Sequence, residues 1–359
     1  ILIFYASDNV RTSRNRQRVS LSSSVNDIHY VDNKVFVCCK NGDFYVYRRL
    51  HDGNWSFDAP TKVNMQASVD EDSCTIVRRL LGVAGGIWCS AKRQIHLLNP
   101  TSMLVERTLT LPGSPHDGRN ISLMLYGGHS VWVATENSCK VELFHATSAN
   151  HIMDIDIKPT VMQRIQYCDE IIVRHKEHCL RITCMSMCKD LLLIGTSAGV
   201  IVVIPSPKLN ASSTRADTII SKISTLDRGH TGHVRFLLTM ESASGQRETE
   251  NVEHEAPSNK SPPIPLGLMA PPLSLVSSAP STPKQMHELL NPRLSTTSTG
   301  TARRGSMNPC MTLTTQMKMI SGGDGIEEFP TRATSTDSSQ SANAGELDSV
   351  NHILIWEVA

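Results

Sequence analysis

Two histidines and three cysteines lie within fourteen residues, in the segment HKEHCLRITCMSMC from His175 to Cys188. His and Cys are preferred ligands of Zn²⁺, and a structural zinc site needs about four ligands around one point. The segment contains no C-x-x-C pair, and Leu180, Ile182 and Cys184 alternate as residues on one face of a strand do. A buried free Cys behaves as a small apolar side chain. We therefore expect these cysteines to belong to a core, and we expect no metal site here.

A second pattern with catalytic potential is GTSAG, from Gly195 to Gly199, whose letters match the nucleophile elbow G-x-S-x-G. The elbow requires a strand, a sharp turn and then a helix, whereas the strongly β-forming VIVVIP follows here. A phosphate-binding loop is excluded because the Lys-Ser/Thr ending is missing. Gly195 and Gly199 instead flank a tight turn between two strands, where Gly tolerates positive φ. We identify no paired carboxylates and no other set of catalytic, metal-binding or cofactor-binding residues, and we expect neither enzymatic activity, nor a cofactor, nor a stoichiometrically bound zinc ion anywhere in the chain.

The composition argues against several classes of protein. The formal net charge is +1, so no overall charge attracts nucleic acid or an anionic membrane. No run of about eighteen apolar residues is present, and we expect no transmembrane segment. Ten cysteines are scattered along 359 residues, which favours reduced thiols in a cytoplasmic protein over a disulfide framework. The sequence starts with ILIFYAS rather than Met, and we expect it to be a later part of a longer protein.

Short apolar strands recur in pairs along the chain, each pair joined by a polar turn that often contains Gly. The four clearest pairs are KVFVCCKNGDFYVY (34–47), GGIWCSAKRQIHLL (85–98), HSVWVATENSCKVELF (129–144) and DLLLIGTSAGVIVVIP (190–205). Further strand-like segments flank these hairpins, which start about 45–60 residues apart. One four-stranded blade per repeat of this length is typical of a β-propeller. The sequence predicts an all-β propeller with about five to six blades present, the first of them truncated.

The last blade is predicted to be interrupted twice. Its strands are expected in GHTGHVRFLLTM (229–240), QMKMISGGDG (316–325) and HILIWEV (352–358). The intervening residues 241–312 are rich in Ser, Thr and Pro and cannot bury enough apolar surface to fold, so we expect a disordered insert. A second, shorter disordered loop is expected at 331–349. The predicted division is propeller blades over 1–240, the insert over 241–312, and the completed last blade over 313–359.

Two phosphorylation motifs lie in the expected insert. Ser306 follows RRG and so has two arginines upstream, while Thr282 precedes a proline. Phosphorylation would add about −1.5 to −2 charges at either position. We regard Thr282 and Ser306 as candidate phosphosites that would create a docking point for a basic partner.

One segment breaks the β pattern, PTVMQRIQYCDEIIVRHKEH from Pro159 to His178. Its apolar residues are spaced by three and four, which places them on one helical face: Val161, Ile165, Cys168 and Ile172. A proline at the start of the pattern suits the first turn of a helix. We predict one short helix, inserted ahead of the blade that contains the fourth hairpin.

The segment RHKEHCLRITCMSMCKDLLLIGTSAGVIVVIP (174–205) resembles the C-terminal WD-repeat-like propeller of Rho guanine-nucleotide exchange factors, in the subgroup of types 17 and 10. The resemblance includes FYASDNVR, NGDFYVYRR, IWCSAKRQIHLLNPTS, VELFHATS, GHTGHVRFL and NHILIWEV. It implies that His230 and His233 correspond to the Gly-His that opens a WD repeat. It also implies that Trp356 stands at the Trp-Asp position that closes one. Both roles are structural.

The resemblance implies a non-catalytic platform for protein interaction or autoregulation in Rho GTPase signalling to actin. Nucleotide exchange would come from an upstream Dbl-homology domain, a long helical bundle whose periodicity this chain lacks. The implied partners are proteins, with a Rho-family GTPase reached only through the upstream module. The implied location is the cytoplasm, near actin or the cell cortex. The alternative is a scaffold propeller of a trafficking or kinase-associated protein, unrelated to nucleotide exchange.

The expected insert gives a direct prediction about folding. Replacing residues 241–312 with a short Gly/Ser linker should leave the thermal unfolding midpoint unchanged or slightly raised, because a shorter loop loses less entropy on closure. Circular dichroism of the two chains during heating would measure the difference. A midpoint several degrees lower in the linker variant would show that the segment packs against the blades.

Overall fold

The structure is a computed structural model, and it describes residues 1–3, 17–65, 75–113, 118–210, 220, 222–243, 315–329 and 351–358. These residues all belong to one unit of the chain, Ile1–Ala243 together with Thr315–Ala359. Both predicted disordered segments lie outside the described residues, apart from the first few residues of 241–312, which continue a strand. The candidate phosphosites Thr282 and Ser306 also lie outside them.

Four four-stranded antiparallel sheets follow one another along the chain, each with its strands in sequence order. Blade 1 contains β3 (Val25–Val31), β4 (Lys34–Cys39), β5 (Phe44–Arg49) and β6 (Trp55–Lys62). Blade 2 contains β7 (Arg79–Val83), β8 (Gly86–Ala91), β9 (Gln94–Leu98) and β10 (Val105–Thr110). Blade 3 contains β11 (Ile121–Gly127), β12 (Ser130–Thr135), β13 (Lys140–His145) and β14 (His151–Asp156). Blade 4 contains β15 (Ile182–Cys188), β16 (Leu191–Thr196), β17 (Ile201–Pro205) and β18 (Ser224–Thr225). The predicted repeat of four-stranded blades is confirmed.

The remaining strands form one larger sheet and two short ribbons. Blade 5 is a three-stranded sheet of β20 (Val234–Ala243), β21 (Thr315–Asp324) and β23 (Asn351–Val358), in that order. One ribbon pairs β1 (Leu2–Ile3) with β2 (Gln17–Arg18), and the other pairs β19 (Arg228–Gly229) with β22 (Glu327–Glu328). None of the helices in the described residues has the length and hydrophobicity needed to cross a membrane.

Each of the middle blades, 2 to 4, is buried on both faces because a neighbouring blade packs against each face. All six residues of β12 are buried. Val131 packs in a cluster with Trp88 of blade 2, while the next residue, Trp132, packs in a cluster with Ile194 of blade 4. Successive side chains point to opposite faces of a sheet, so a strand covered on both sides reads as a continuous apolar run. That is why the hairpins were visible in the sequence without polar–apolar alternation.

The first strands of consecutive blades lie side by side, and hydrogen bonds from side chains to backbone join them. The Leu80 N–H donates to Asp27 Oδ2, and the Gly82 N–H donates to His29 Nε2, both at 2.9 Å. The Thr183 hydroxyl donates to the Val234 carbonyl oxygen at 2.6 Å. Burial lowers the pKa of His29, which keeps its Nε2 available as an acceptor. These bonds satisfy backbone groups that the edge of an isolated sheet would leave unpaired.

The predicted single helix is wrong in one respect, because the segment forms two helices. They are α1 (Lys158–Ile165) and α2 (Glu170–His178), placed between blades 3 and 4. The carboxylate of Asp169 accepts hydrogen bonds from the Ile171 and Ile172 N–H groups and caps α2. A capping residue has non-helical backbone angles, so the helix cannot continue through it. As a result Ile172 is 48% exposed, although the single-helix pattern placed it on the buried face.

Two glycines with nearly equal φ provide a matched test of the packing between blades 4 and 5. Gly199 has φ +84°, and a Cβ there would collide with the His230 carbonyl oxygen. Gly85 has φ +83°, and a Cβ there would meet nothing within 4 Å. Gly85→Ala should lower the free energy of unfolding by about 1–2 kcal/mol, the cost of the left-handed backbone alone. Gly199→Ala should cost more than about 3 kcal/mol, because the clash adds to the same backbone cost. Urea unfolding of both variants measures the two values, and equal losses would contradict this account of Gly199.

Candidate interaction surface

The structure separates the histidines and cysteines of segment 175–188. His175 and His178 lie on α2, whereas Cys184 and Cys188 lie on β15 and are buried in the cluster between blades 4 and 5. The Cys184 thiol donates to the Val234 carbonyl oxygen at 3.6 Å. Burial raises the pKa of Cys184 to about 11, so the metal-binding thiolate is disfavoured. Among the residues that the structure describes, one group of three close ligating side chains occurs, and it lies elsewhere.

His230, one of the residues predicted to be structural, is fully buried and connects three parts of the chain. Its Nδ1 lies 3.0 Å from the Gly325 carbonyl oxygen, and its Nε2 lies 2.7 Å from the Ser321 hydroxyl. The carbonyl can only accept, so Nδ1 carries the proton and Nε2 accepts from Ser321. Burial lowers the pKa of His230 and favours this neutral form. The backbone N–H of His230 donates to the Gly199 carbonyl oxygen at 3.0 Å.

The other predicted structural residues lie around the same junction between blades 4 and 5. The positive φ expected at Gly195 is wrong, because this residue lies within β16 and only Gly199 of the two has positive φ. A Cβ at Gly195 would instead collide with the Cys184 thiol and the Val234 side chain, so Gly at this position allows blade 5 to approach. Trp356 of β23 is partly buried and packs against the same apolar cluster. His233 takes part through its backbone, whose carbonyl oxygen accepts from the Asp324 N–H at 3.2 Å. The junction therefore depends on close backbone approach at the glycines, apolar packing of Trp356 and a backbone hydrogen bond of His233.

The helical insert is attached to the β19–β22 ribbon through charged and aromatic groups. The Phe329 ring contacts two cations, with Arg164 of α1 at 5.7 Å and Lys176 of α2 at 5.6 Å from its centroid. Lys176 is 8% exposed and forms a 2.7 Å ion pair with Glu327 of β22. Arg164 pairs with Asp227 at 3.1 Å. Desolvated cation–π contacts and a buried ion pair fix the insert to the blades more strongly than surface charges would.

The sequence of the folded unit matches one known family along most of its length. Residues 1–317 match the WD40 repeated domain, the family whose repeats build propeller blades. The chain belongs to the WD40 repeat family. The blades of this WD40 domain are therefore its repeats, with the α1–α2 insert added between the repeats that form blades 3 and 4.

Individual relatives match the WD40 domain over different lengths. Rho guanine nucleotide exchange factor 17 of Mus musculus is 30% identical over 358 residues, which is 99% of this chain and 15% of the relative. Rho guanine nucleotide exchange factor 10 of Mus musculus is 25% identical over 55% of this chain and 13% of the relative. C-Jun-amino-terminal kinase-interacting protein 3 of Rattus norvegicus is 24% identical over 52% of this chain and 13% of the relative. The resemblance to exchange factors of types 17 and 10 is confirmed, and the chain spans a small part of each relative.

The helical insert carries three exposed large apolar side chains between Tyr167 and Ile172. Ile171 is 79% exposed and Ile172 is 48% exposed, next to Tyr167 at 43%. Ile171 and Ile172 lie in the first turn of α2, and Tyr167 lies between α1 and α2. Three exposed large apolar side chains within six residues make the insert a candidate protein-interaction surface.

The two end blades also present apolar faces. On blade 5, Leu238, Ile320 and Ile355 lie opposite one another across three strands, and Leu238 and Ile355 are mostly exposed. On blade 1, Tyr47 and Phe57 line an apolar cavity of about 240 Å³ together with Ile1, Ile3 and Val19, so the N-terminal β1–β2 ribbon partly covers this face. The equivalent faces of blades 2–4 are covered by neighbouring blades. The outer face of blade 5 therefore has the chemistry of a blade-to-blade contact.

One polar cluster was missed by the sequence analysis, which found no paired carboxylates. Glu142 of β13 and Asp154 of β14 lie opposite each other, with His151 of β14 beside them. Burial, and then the charge of Asp154, raise the pKa of Glu142 to about 8. The only sequence signal was a Glu within the apolar hairpin strand KVELFH. Which residues lie beside Glu142 depends on the register between β13 and β14, and the sequence does not specify that register.

The ion pair of the insert gives a stability prediction with a matched control. Glu327→Gln should lower the free energy of unfolding by about 3 kcal/mol, because it leaves the Lys176 ammonium buried without a negative partner. Glu170→Gln removes the same charge from the exposed Glu170–Arg174 pair, whose side chains are both 77% exposed, and should cost at most about 1 kcal/mol. Chemical denaturation of the two variants measures the difference. Equal effects would show that the Lys176–Glu327 pair does not anchor the insert.

Proposed function

We propose that this WD40 domain is the non-catalytic platform of a Rho guanine-nucleotide exchange factor, serving protein interaction or autoregulation in Rho GTPase signalling to actin. The observation that carries the proposal is the similarity to Rho guanine nucleotide exchange factor 17, which extends over 99% of the chain. The similarity to type 10 supports the same assignment over about half of the chain. Exchange activity would then come from an upstream helical module.

The architecture suits a regulatory or binding role. Closely packed blades give a rigid scaffold, and the loops and the insert that it carries can vary without disturbing the core. A platform of this kind regulates by covering a neighbouring domain or by holding a partner protein. A bias of about 1–3 kcal/mol between a covered and an open state changes activity by roughly 5–150-fold. The expected partners are proteins, and the expected location is the cytoplasm, near actin or the cell cortex.

A second candidate function is a scaffold role without any link to nucleotide exchange. It is favoured by the similarity to C-Jun-amino-terminal kinase-interacting protein 3, which extends over 52% of this chain. Under this alternative the WD40 domain would bring signalling or trafficking proteins together. An exchange assay on the whole protein with and without this chain separates the two candidates, because removing an unrelated scaffold leaves nucleotide release unchanged.

The chain alone should not release nucleotide, whereas its removal should change exchange by the whole protein. The first measurement mixes the purified chain with Rho-family GTPases that carry a fluorescent nucleotide, and EDTA provides the positive control by removing magnesium. We expect the intrinsic release rate. Faster release would contradict the non-catalytic assignment.

The second measurement compares the whole protein with a version that ends before Ile1, both in exchange rate and in cellular location. We expect a rate change within about 5–150-fold, or a changed location. Equal rates together with equal location would favour the scaffold candidate over the exchange-factor platform.

A further inference from the structure

Blade 3 brings three ligating side chains together from two adjacent strands. Glu142 of β13 lies directly opposite Asp154 of β14, and a register shift after Leu143 places His151 opposite Phe144. One ligand atom from each of Glu142, His151 and Asp154 lies within 4.8 Å of the other two. The His151 Nε2 is 2.7 Å from the Asp154 Oδ1, and the Phe144 ring packs edge-on against the imidazole at 5.1 Å between centroids. The aromatic contact holds the imidazole beside the carboxylates.

Two carboxylates lie close together in this cluster, and one of them, Glu142, is buried, so their negative charge is unfavourable. Like charges directly opposite each other on antiparallel strands destabilise a sheet. Glu142 is 9% exposed, and its Oε2 has no hydrogen-bond partner in the described part of the chain. Arg93 and Lys140 offset part of the charge on Glu142, yet burial and Asp154 outweigh them. A buried carboxylate oxygen without a partner carries a large desolvation cost, so the site requires either a proton or a cation.

We propose that Glu142, His151 and Asp154 form a binding site for a divalent transition-metal ion of the Zn²⁺ type. One imidazole and two carboxylates are ligands that Zn²⁺ accepts, and three protein ligands leave a fourth position open. The two carboxylates and the neutral imidazole balance the +2 charge of the ion. Mg²⁺ and Ca²⁺ fit less well, because both prefer six or more oxygen ligands and avoid imidazole.

The geometry requires only small side-chain movements. Zinc bonds of about 2.0–2.2 Å in tetrahedral geometry place ligand atoms about 3.4 Å apart. The His151–Asp154 contact of 2.7 Å must therefore lengthen slightly, while the most distant ligand atoms, no more than 4.8 Å apart, must move closer. His151 and Asp154 are 28% and 42% exposed, so an ion can enter from solvent. The bound ion would link β13 to β14, and its fourth coordination position would be open at the surface of blade 3.

The test uses the tag-free chain under reducing conditions, stripped with a chelator and titrated with Zn²⁺ in a calorimeter. We expect one ion per chain and an upward shift of the thermal midpoint by several degrees, since binding to the folded state stabilises it. Glu142→Gln and His151→Gln should each weaken zinc binding by at least about 100-fold and abolish the thermal shift. Asp154→Asn provides a third variant at a more exposed position, and it tests the site even if the other two variants fail to fold.

Two control variants separate this site from other zinc ligands. Cys184→Ala with Cys188→Ala removes the buried thiols, and His175→Gln with His178→Gln removes the histidines of α2. Both double variants should retain zinc binding within about twofold of the parent chain. Absence of stoichiometric zinc in the parent would overturn the proposal and would mean that a proton neutralises Glu142 instead, in line with its raised pKa. Unchanged binding in the Glu142, His151 and Asp154 variants, or loss of binding in either control, would also overturn it.

Discussion

Every blade in the middle of this protein is apolar on both faces, and the rest of the structure depends on that constraint. Each major apolar cluster is shared between two consecutive sheets. Phe36 of blade 1 packs with Ile87 of blade 2, and Leu193 of blade 4 packs with Leu237 of blade 5. A sheet of this kind cannot bury its surface alone, so each repeat is stable only between neighbours. Within the described residues, the N-terminal β1–β2 ribbon packs against the outer face of blade 1, whereas the outer face of blade 5 leaves apolar side chains such as Leu238 and Ile355 exposed.

The same constraint explains why so much of the fold could be predicted. Strands covered on both sides are continuous apolar runs, and their turns carry residues such as Asn41 and Gly42 that suit tight hairpins. Those two signals are local, and they located the hairpins and their order. The split of the helical insert was less visible, because one residue, Asp169, decides it by capping α2. The apolar spacing of the segment fits one helix as well as two.

The polar contacts could not be predicted, because they depend on long-range geometry. Lys176 and Glu327 are separated by 151 residues, and only the completed β19–β22 ribbon brings them together. The Glu142–His151–Asp154 cluster depends on a register shift between β13 and β14 that moves one strand by a residue. A slip of one residue sends each side chain to the opposite face of a sheet. The spacing of residues in the sequence therefore carries no information about such a cluster. It pointed instead to the cysteines of segment 175–188, of which Cys184 and Cys188 are buried in the core.

A rigid row of mutually supporting blades is what makes the WD40 domain suitable as a platform, and hydrogen exchange tests that rigidity most directly. The measurement is the free energy of opening of the amides in β8, β12 and β16, the second strands of blades 2, 3 and 4, in the native chain. If shared faces make the blades one cooperative unit, all three strands should exchange with the same free energy, equal to that of global unfolding. Opening free energies that differ between these strands by several kcal/mol would show that the blades unfold independently, and would contradict the account.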